Sequence, residues 1–141
     1  MFYQPLLYAL LAQVGLTFLI WVYLYVTRLG KIFRDGIDAQ QLCNRTEAQV
    51  LLAEICGPSD NFKNLFEAPV LFYAAVTVSL ILFIQNPLLD SLAWSYVMLR
   101  ALHSFVHITY NRVLHRFMVH FSSTIILWGM WLYIGWYILT R

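Results

Sequence analysis

Residues 100–120 read RALHSFVHITYNRVLHRFMVH. This stretch is the densest polar run in an otherwise apolar sequence. Arg100, His103 and His107 follow one another at i, i+3 and i+7, so on a helix they share one face. Arg116 and His120, at i and i+4, begin a similar pattern on the next apolar segment. Charged groups inside segments of membrane-spanning length are costly, so the stretch predicts functional side chains where two transmembrane helices meet.

The composition is that of a membrane protein. Hydrophobic residues make up 61% of the 141 residues and charged residues 11%, whereas a soluble domain averages about 25% charged residues. The apolar residues also come in blocks that provide the roughly 20 residues with which a helix crosses a hydrocarbon core. The first block lacks the basic flank and cleavage site of a signal peptide, so we interpret it as a retained span.

The blocks predict an all-α integral membrane protein, a bundle of four transmembrane helices in a single membrane domain over residues 1–141. The predicted spans are about 5–26, 65–85, 87–110 and 117–139, and a polar connection covers about 27–62. The turn Gln85-Asn86-Pro87 makes the second and third helices an antiparallel hairpin.

Local signals predict helix ends around the polar connection. Thr46-x-x-Gln49 resembles a capping box for a short helix, and Gly57-Pro58 is expected to end that helix. Pro69 lies inside the predicted second helix, where it removes a hydrogen bond and is expected to produce a kink. The connection is therefore predicted to contain a helix of its own, since a structureless loop of this length is unusual in a compact domain.

Basic residues predict the orientation. Those in or beside the first connection are Arg28, Lys31, Arg34, Arg45 and Lys63, and those in or near the third are Arg100, Arg112 and Arg116. Arg141 is the remaining basic residue and lies on the opposite side. The positive-inside rule then places both connections in the cytoplasm and both termini outside.

Polar residues gather at the cytoplasmic ends of the predicted helices. They are Arg28 on the first, Lys63, Asn64 and Glu67 on the second, Arg100, His103, His107, Tyr110 and Asn111 on the third, Arg112 after it, and Arg116 and His120 on the fourth. A bundle brings these ends together into a cationic, partly embedded pocket with one carboxylate. Arginine forks suit carboxylates and Glu67 suits an ammonium, so the pocket favours a small anionic molecule that also carries an amine or amide.

Other site chemistries fit the sequence less well. Cys43 and Cys56 are the only cysteines and form no CxxC pair for a zinc site. His103-x-x-x-His107 has the spacing of metal ligands, but neutral histidines that hydrogen-bond within the bundle are favoured, and we predict no metal. The sequence contains no Gly-rich phosphate loop, and nothing in it indicates nucleic-acid binding.

Two segments resemble a known family. The first is Lys63-Asn64-x-x-Glu67-x-Pro69, and the second is Arg100-x-x-His103 followed by Arg112 and Arg116. They are similar to the Asn-x-x-Glu signature and to the third-to-fourth helix segment of MAPEG, the membrane-associated proteins in eicosanoid and glutathione metabolism. That family includes microsomal glutathione transferases and the leukotriene and prostaglandin synthases that use glutathione. The resemblance covers essentially the whole chain and indicates a bacterial-type member.

The resemblance implies a homotrimer that binds glutathione as co-substrate between subunits on the cytoplasmic side. Carried over by position, the glutathione contacts are Arg28, Asn64, Glu67, His103 and Arg116. Arg116 matches the residue that activates the thiol, and a nearby guanidinium does favour a thiolate. In the implied reaction, glutathione is joined to a hydrophobic, lipid-like electrophile or reduces it. This electrophile enters from the membrane lipids. The expected location is the bacterial inner membrane.

The chain departs from the family pattern at several positions. Lys63 stands where many members have arginine and lacks the bidentate fork. His107 and His120 lie where the better-known enzymes have tyrosines, and Phe117 follows Arg116 where one prostaglandin-synthesising member has serine. The fold is therefore better defined by the resemblance than the substrate is.

Other interpretations stay open. A non-catalytic membrane scaffold or lipid-binding protein of the same fold is one alternative. A transporter or ion pathway lined by Glu67 and the histidines is another. For single residues, Glu67 paired with Lys63 or an arginine would simply fix helix packing, and Arg112 would anchor to lipid headgroups.

Overall fold

The computed structural model describes residues 4–140, and every side chain in that range except those of residues 4, 39 and 45. Its four long helices are α1 (Gln4–Asp35), α4 (Ala68–Ile81), α5 (Pro87–Ile108) and α6 (Val113–Leu139). Between α1 and α4 lie α2 (Arg45–Leu51), α3 (Cys56–Asn64) and two short 3-10 turns, Ala39–Cys43 and Ala53–Ile55. Within the described range the chain contains no strand, which confirms the all-α prediction. Arg141, used in the orientation argument, lies outside the described residues.

The apolar helices make the chain an integral membrane protein. Three described stretches are long and apolar enough to cross a membrane: Pro5–Asp35, Ala53–Ile81 and Val113–Leu139. The helix α5 is not among them, although its 22 residues are long enough, because Asp90, Arg100, His103 and His107 lower its hydropathy. Its role as the fourth span stays a prediction.

The core forms where α5 packs against α1 and α6 while α4 packs against the same two helices. Its wholly buried members include Leu6, Phe72, Leu89, Tyr96, Leu127 and Met130. Phe72 stacks on Tyr96 with ring centroids 4.6 Å apart and an interplanar angle of 14°. Ala75 and Ala93 are also buried, and such small residues let helix backbones approach closely. The helix α5 therefore lies in the middle of the bundle, and its polar face points inward.

The predicted second helix is interrupted just before its apolar part. The helix α3 ends at Asn64 and α4 begins at Ala68, and Glu67 stands in the break with φ −93° and ψ −93°. Pro69 consequently lies in the first turn of α4, where its missing N–H sacrifices no helical hydrogen bond. The predicted kink at Pro69 is wrong, because the backbone breaks before the proline and not at it.

The helix ends in the connection also differ from prediction. Asn44 caps α2: its side-chain oxygen accepts from the backbone N–H of Thr46 at 3.1 Å, and its Nδ2 donates to Glu47 at 3.1 Å. The predicted capping box that starts at Thr46 is therefore displaced by two residues. Gly57-Pro58 does not end α2, which stops at Leu51, but lies in the first turn of α3, where a proline is tolerated.

At each end of α5, an asparagine lies in the turn that connects α5 to the next long helix. At the start, Asn86 Oδ1 accepts from the Leu88 N–H at 2.8 Å, which confirms the predicted turn between the second and third helices. At the other end, Asn111 takes a left-handed φ of 49°, which asparagine tolerates better than most residues. The helix α6 then begins at Val113, so Arg116 lies in its first turn and faces α5.

The connection is fastened to α1 by a lysine. Lys31 is largely buried, and its Nζ donates to Asp35 at 2.8 Å and to Glu54 at 2.7 Å. Because Glu54 lies in the 3-10 turn that immediately precedes α3, this contact helps to hold α3 against the end of α1. The helix α3 also packs on α5, so it lies between those two helices.

Gln13 gives a stability prediction. It is wholly buried in the apolar part of α1, and neither of its amide atoms has a hydrogen-bond partner among the described residues. An unsatisfied buried polar group costs about 1–3 kcal/mol. We expect Gln13→Leu to raise the free energy of unfolding in detergent by about 1 kcal/mol or more. The exposed Gln85, changed to leucine, should have no such effect, and a less stable Gln13→Leu protein would contradict the prediction.

Candidate functional site

A cavity of about 380 Å³ opens beside the start of α6, and we call it the Arg116 cavity. Its lining residues are Asp60, Asn64, Glu67, His103, His107, Val113, Arg116, Phe117 and His120. They come from α3, the break before α4, α5 and α6. The volume lies within the range of about 300–1,000 Å³ typical of small-molecule pockets. The site therefore has the size and the mixed polar and aromatic lining that a small ligand needs.

Arg116 is held at the cavity by a histidine on α5. Its Nη1 donates to His107 Nε2 at 2.8 Å. The Nε of Arg116 is buried and has no partner among the described residues. No ion pair between described residues involves Arg116. The guanidinium is thus held by His107, keeps an unused donor at Nε and forms no ion pair within the described part of the chain.

Arg100 lies behind the cavity wall and does not line it. The residue is wholly buried, and its Nη2 donates to the carbonyl oxygen of Asn64 at 2.6 Å while its Nη1 donates to His120 Nδ1 at 2.9 Å. Asn64 is the last residue of α3, where carbonyls lack an intrahelical partner and the helix dipole favours a cation. Arg100 therefore caps α3 and holds α3 and α6 together.

Three histidine rings form a row along the cavity. The ring centroid of His103 is 5.6 Å from that of His107 and 5.5 Å from that of His120. His103 and His107 are almost wholly buried. Among the described residues, the His, Cys, Asp and Glu side chains form no group of three that could hold a metal ion. The rings of His107 and His120 are hydrogen-bonded to Arg116 and Arg100, and the ring of His103 lies between these two rings.

Glu67 is an exposed carboxylate on the cavity rim. Its position in the backbone break lets it face the cavity without belonging to a helix. The alternative pairing with Lys63 is not formed: Lys63 Nζ contacts Asp60 at 3.4 Å, and no ion pair between described residues uses Glu67. The carboxylate is therefore available to a ligand ammonium group.

Arg28 and Lys63 line a second cavity of about 310 Å³ together with Cys56, Ser59 and Asp60, among others. It lies between the end of α1 and the helices of the connection. Because α3 packs between α1 and α5, it separates these two basic residues from the Arg116 cavity. Within one subunit the predicted convergence of all basic side chains on one pocket does not occur, and Asp60 is the residue common to the two cavities.

Comparison with known sequences decides the family. The sequence model of the MAPEG family matches residues 6–136, nearly the whole chain. The chain belongs to the MAPEG family. No curated protein and no solved structure matches it significantly. Members of MAPEG are all-α membrane proteins that generally use glutathione, so membership confirms the resemblance seen in the sequence and supports a glutathione-related function at the level of the family.

Two further residues of the predicted polar cluster, Tyr110 and Arg112, lie away from the cavity. Tyr110 is exposed, and a 3.1 Å hydrogen bond joins its hydroxyl to His115 Nδ1. Arg112 is also exposed and occupies the residue just before α6. Neither lines either of the two cavities. Arg112 therefore serves as a natural comparison for Arg116 in experiments.

Two buried polar residues that join α5 to α3, Ser104 and Asn61, were not predicted from the sequence. Ser104 Oγ donates to Asn61 Oδ1 at 3.2 Å and so ties α5 to α3. Their spacing was the available signal, because Ser104 lies one turn after Arg100 and Asn61 lies one turn before Asn64. Gly57 marks the same contact: a Cβ there would lie 3.3 Å from a backbone carbonyl oxygen of α5.

Proposed function

We propose that this MAPEG protein is a membrane-bound, glutathione-dependent transferase or peroxidase that acts on hydrophobic electrophiles. The observation that carries the proposal is the guanidinium of Arg116. It is partly buried, held by His107, has no carboxylate partner among the described residues and borders a cavity of ligand size. Family membership supplies the class of co-substrate.

The cavity chemistry suits glutathione. That tripeptide carries two carboxylates, one ammonium and one thiol. Glu67 and Asp60 offer carboxylates for the ammonium, and Arg116 offers a cation for the thiolate. Hydrogen bonds to charged groups contribute about 1.5–3 kcal/mol each, so these contacts to the ammonium and the thiolate support binding.

The proposed chemistry depends on the thiolate, since the thiolate and not the thiol is the nucleophile. The thiol proton leaves to solvent, and the negative sulfur stays beside the Arg116 guanidinium. With a chlorinated nitrobenzene, the sulfur attacks the ring carbon, a C–S bond forms and chloride leaves. With a lipid hydroperoxide, two glutathione molecules become the disulfide while the peroxide is reduced to an alcohol and water.

The surroundings support an electrophile that arrives from the membrane. Phe117 lines the cavity, is largely exposed and stacks on Phe121 with ring centroids 5.8 Å apart. These rings provide an apolar approach on α6 from the lipid side. The proposed orientation places the cavity at the cytoplasmic face, with both termini outside, in the bacterial inner membrane. The proposal includes a homotrimer, because Arg28 does not line the Arg116 cavity of its own subunit. In a trimer, Arg28 would contact glutathione bound to a neighbouring subunit.

The test is binding and turnover by purified protein in detergent or nanodiscs. Calorimetric titration should show saturable binding of glutathione. Turnover with a chlorinated nitrobenzene and with a lipid hydroperoxide should depend on glutathione. Protein that neither binds glutathione nor turns over either electrophile would refute the proposal and favour a non-catalytic scaffold of the same fold.

His107 is expected to control the thiolate through Arg116. His107→Leu removes the acceptor that holds the guanidinium, and we expect it to weaken the ultraviolet absorbance of bound thiolate by about tenfold, since one charged hydrogen bond contributes about 1.5 kcal/mol or more. His107→Gln places an amide oxygen near the same point and should retain most of the signal. An equal loss of thiolate absorbance in both variants would show that the hydrogen bond from Arg116 to residue 107 does not control the thiolate.

Glu67 is expected to bind the ammonium of glutathione. Glu67→Gln should raise the Kd of glutathione by about tenfold, because a charge-assisted hydrogen bond becomes a neutral one. A glutathione analogue without the amino group should bind the wild type and the variant equally. Glu47→Gln, an exposed change on α2, is the matched control. A variant that loses affinity for both ligands alike would contradict the assigned role.

A further inference from the structure

The two sides of His120 are chemically different. Its Nδ1 lies 2.9 Å from Arg100 Nη1. A guanidinium carries only donors, so Nδ1 accepts this hydrogen bond and carries no proton. A neutral imidazole has one proton, which must then be on Nε2. No hydrogen bond between described residues uses this Nε2, and the residue lines the Arg116 cavity.

Arg100 is in a position to enforce this state. It is wholly buried, and its second hydrogen bond, to the carbonyl oxygen of Asn64 at 2.6 Å, anchors it to the end of α3. A guanidinium stays protonated in proteins, so it cannot exchange roles with the imidazole. The orientation and the tautomer of His120 are therefore set by a group that does not touch the cavity.

His107 carries the opposite arrangement. Its Nε2 accepts from Arg116 at 2.8 Å, which assigns its proton to Nδ1. His107 therefore uses its acceptor nitrogen to hold the Arg116 guanidinium at the cavity, whereas His120 keeps Nε2–H as a donor. The sequence gives no sign of this difference, since both residues are histidines on apolar helices.

We infer that His120 donates a hydrogen bond from Nε2–H to a negatively charged atom of the ligand, with Arg100 as the residue that positions it. The charged and titratable groups around it are Arg100, Arg116, Glu67 and His103. A thiolate or a carboxylate on the ligand can accept from His120 Nε2 and also bind the Arg116 guanidinium. The identity of that ligand rests on the proposed function, whereas the tautomer rests on the geometry alone.

The tautomer is measurable without any ligand. Nitrogen NMR of histidine-labelled protein in nanodiscs distinguishes protonated from unprotonated ring nitrogens. The chain has four histidines, and single substitution of each assigns the signals. We expect His120 with its proton on Nε2 and a hydrogen-bonded Nδ1, and loss of this preference in Arg100→Met. A proton on Nδ1, or on both nitrogens, at neutral pH would overturn the inference.

The donor role is tested by two amide substitutions. His120→Asn leaves an oxygen near Nδ1 to accept from Arg100 but removes the donor at Nε2, and we expect about tenfold weaker glutathione thiolate absorbance. His120→Gln places an N–H near Nε2 and should lose no more than about threefold. Equal signals in wild type and His120→Asn would overturn the donor role. Wild-type protein without any glutathione binding would refute the proposed function instead, and the tautomer measurement would still decide the inference about Arg100.

Discussion

Arg116→Ala is expected to abolish the absorbance of bound glutathione thiolate and to lower kcat/KM by at least about 100-fold, the cost of removing one preorganised group that stabilises a developing charge. The guanidinium has no carboxylate partner among the described residues and is oriented by a 2.8 Å hydrogen bond to His107. Its removal takes away the cation that keeps the sulfur negative at neutral pH. Stopped-flow absorbance and steady-state kinetics measure the two effects.

Arg112→Ala is the matched control for that experiment. Arg112 and Arg116 are four residues apart at the start of α6, but Arg112 is exposed and does not line the cavity. We expect its removal to leave the thiolate signal unchanged. Arg116→Lys should be intermediate, because it keeps the charge and loses the fork. Equal losses in Arg112→Ala and Arg116→Ala would indicate a general effect of basic charge and would contradict a specific site.

Phe72→Ala is expected to lower the free energy of unfolding by roughly 3–5 kcal/mol, the usual cost of deleting a fully buried aromatic side chain. Phe72 is wholly buried on α4 and stacks on Tyr96 of α5 at 4.6 Å. The substitution removes the stack and leaves a cavity between these helices. Denaturant titration in mixed micelles, followed by helical circular dichroism, gives the change.

Phe83→Ala is the comparison for the packing prediction. Phe83 follows α4 and is 74% exposed, so its removal empties no core volume. We expect a change within about 0.5 kcal/mol, as for most surface substitutions. A similar loss at Phe72 and Phe83 would show that the buried stack of Phe72 on Tyr96 adds nothing to the stability of the fold.

The long helices were predictable because membrane-spanning length is a strong signal. Blocks of apolar residues indicated the regions of α1, α4, α5 and α6, although α5 does not reach the hydropathy of a membrane span, and the Asn86 turn marked the boundary between α4 and α5. The break before α4 was not predictable in the same way. Pro69 suggested a kink inside a helix, yet a proline in a first turn has the same sequence appearance.

The members of the site were easier to predict than their pairing. Polar residues in apolar segments drew attention to Arg100, His107, Arg116 and His120. Helical spacing grouped Arg100 with His107 and Arg116 with His120, because periodicity describes one helix at a time. In the structure each arginine instead forms a hydrogen bond with a histidine on the other helix: Arg100 of α5 with His120 of α6, and Arg116 of α6 with His107 of α5.

The separation of the two cavities also lay beyond the sequence. Arg28 and Lys63 belong to helix ends on the same predicted side of the membrane, so convergence with Arg116 was a reasonable expectation. Because α3 lies between α1 and α5, it separates the cavity of Arg28 and Lys63 from the Arg116 cavity. That position depends on tertiary contacts such as Lys31 with Glu54 and Ser104 with Asn61, which join residues far apart in sequence.

The central claim is that the Arg116 cavity binds glutathione and holds its thiol ionised. The most direct measurement is a glutathione titration of purified wild-type protein at neutral pH, followed by ultraviolet thiolate absorbance. We predict a saturable thiolate signal whose midpoint agrees with the calorimetric Kd. Saturable binding with no thiolate absorbance would contradict the claim, because glutathione would then occupy the protein without being activated by Arg116.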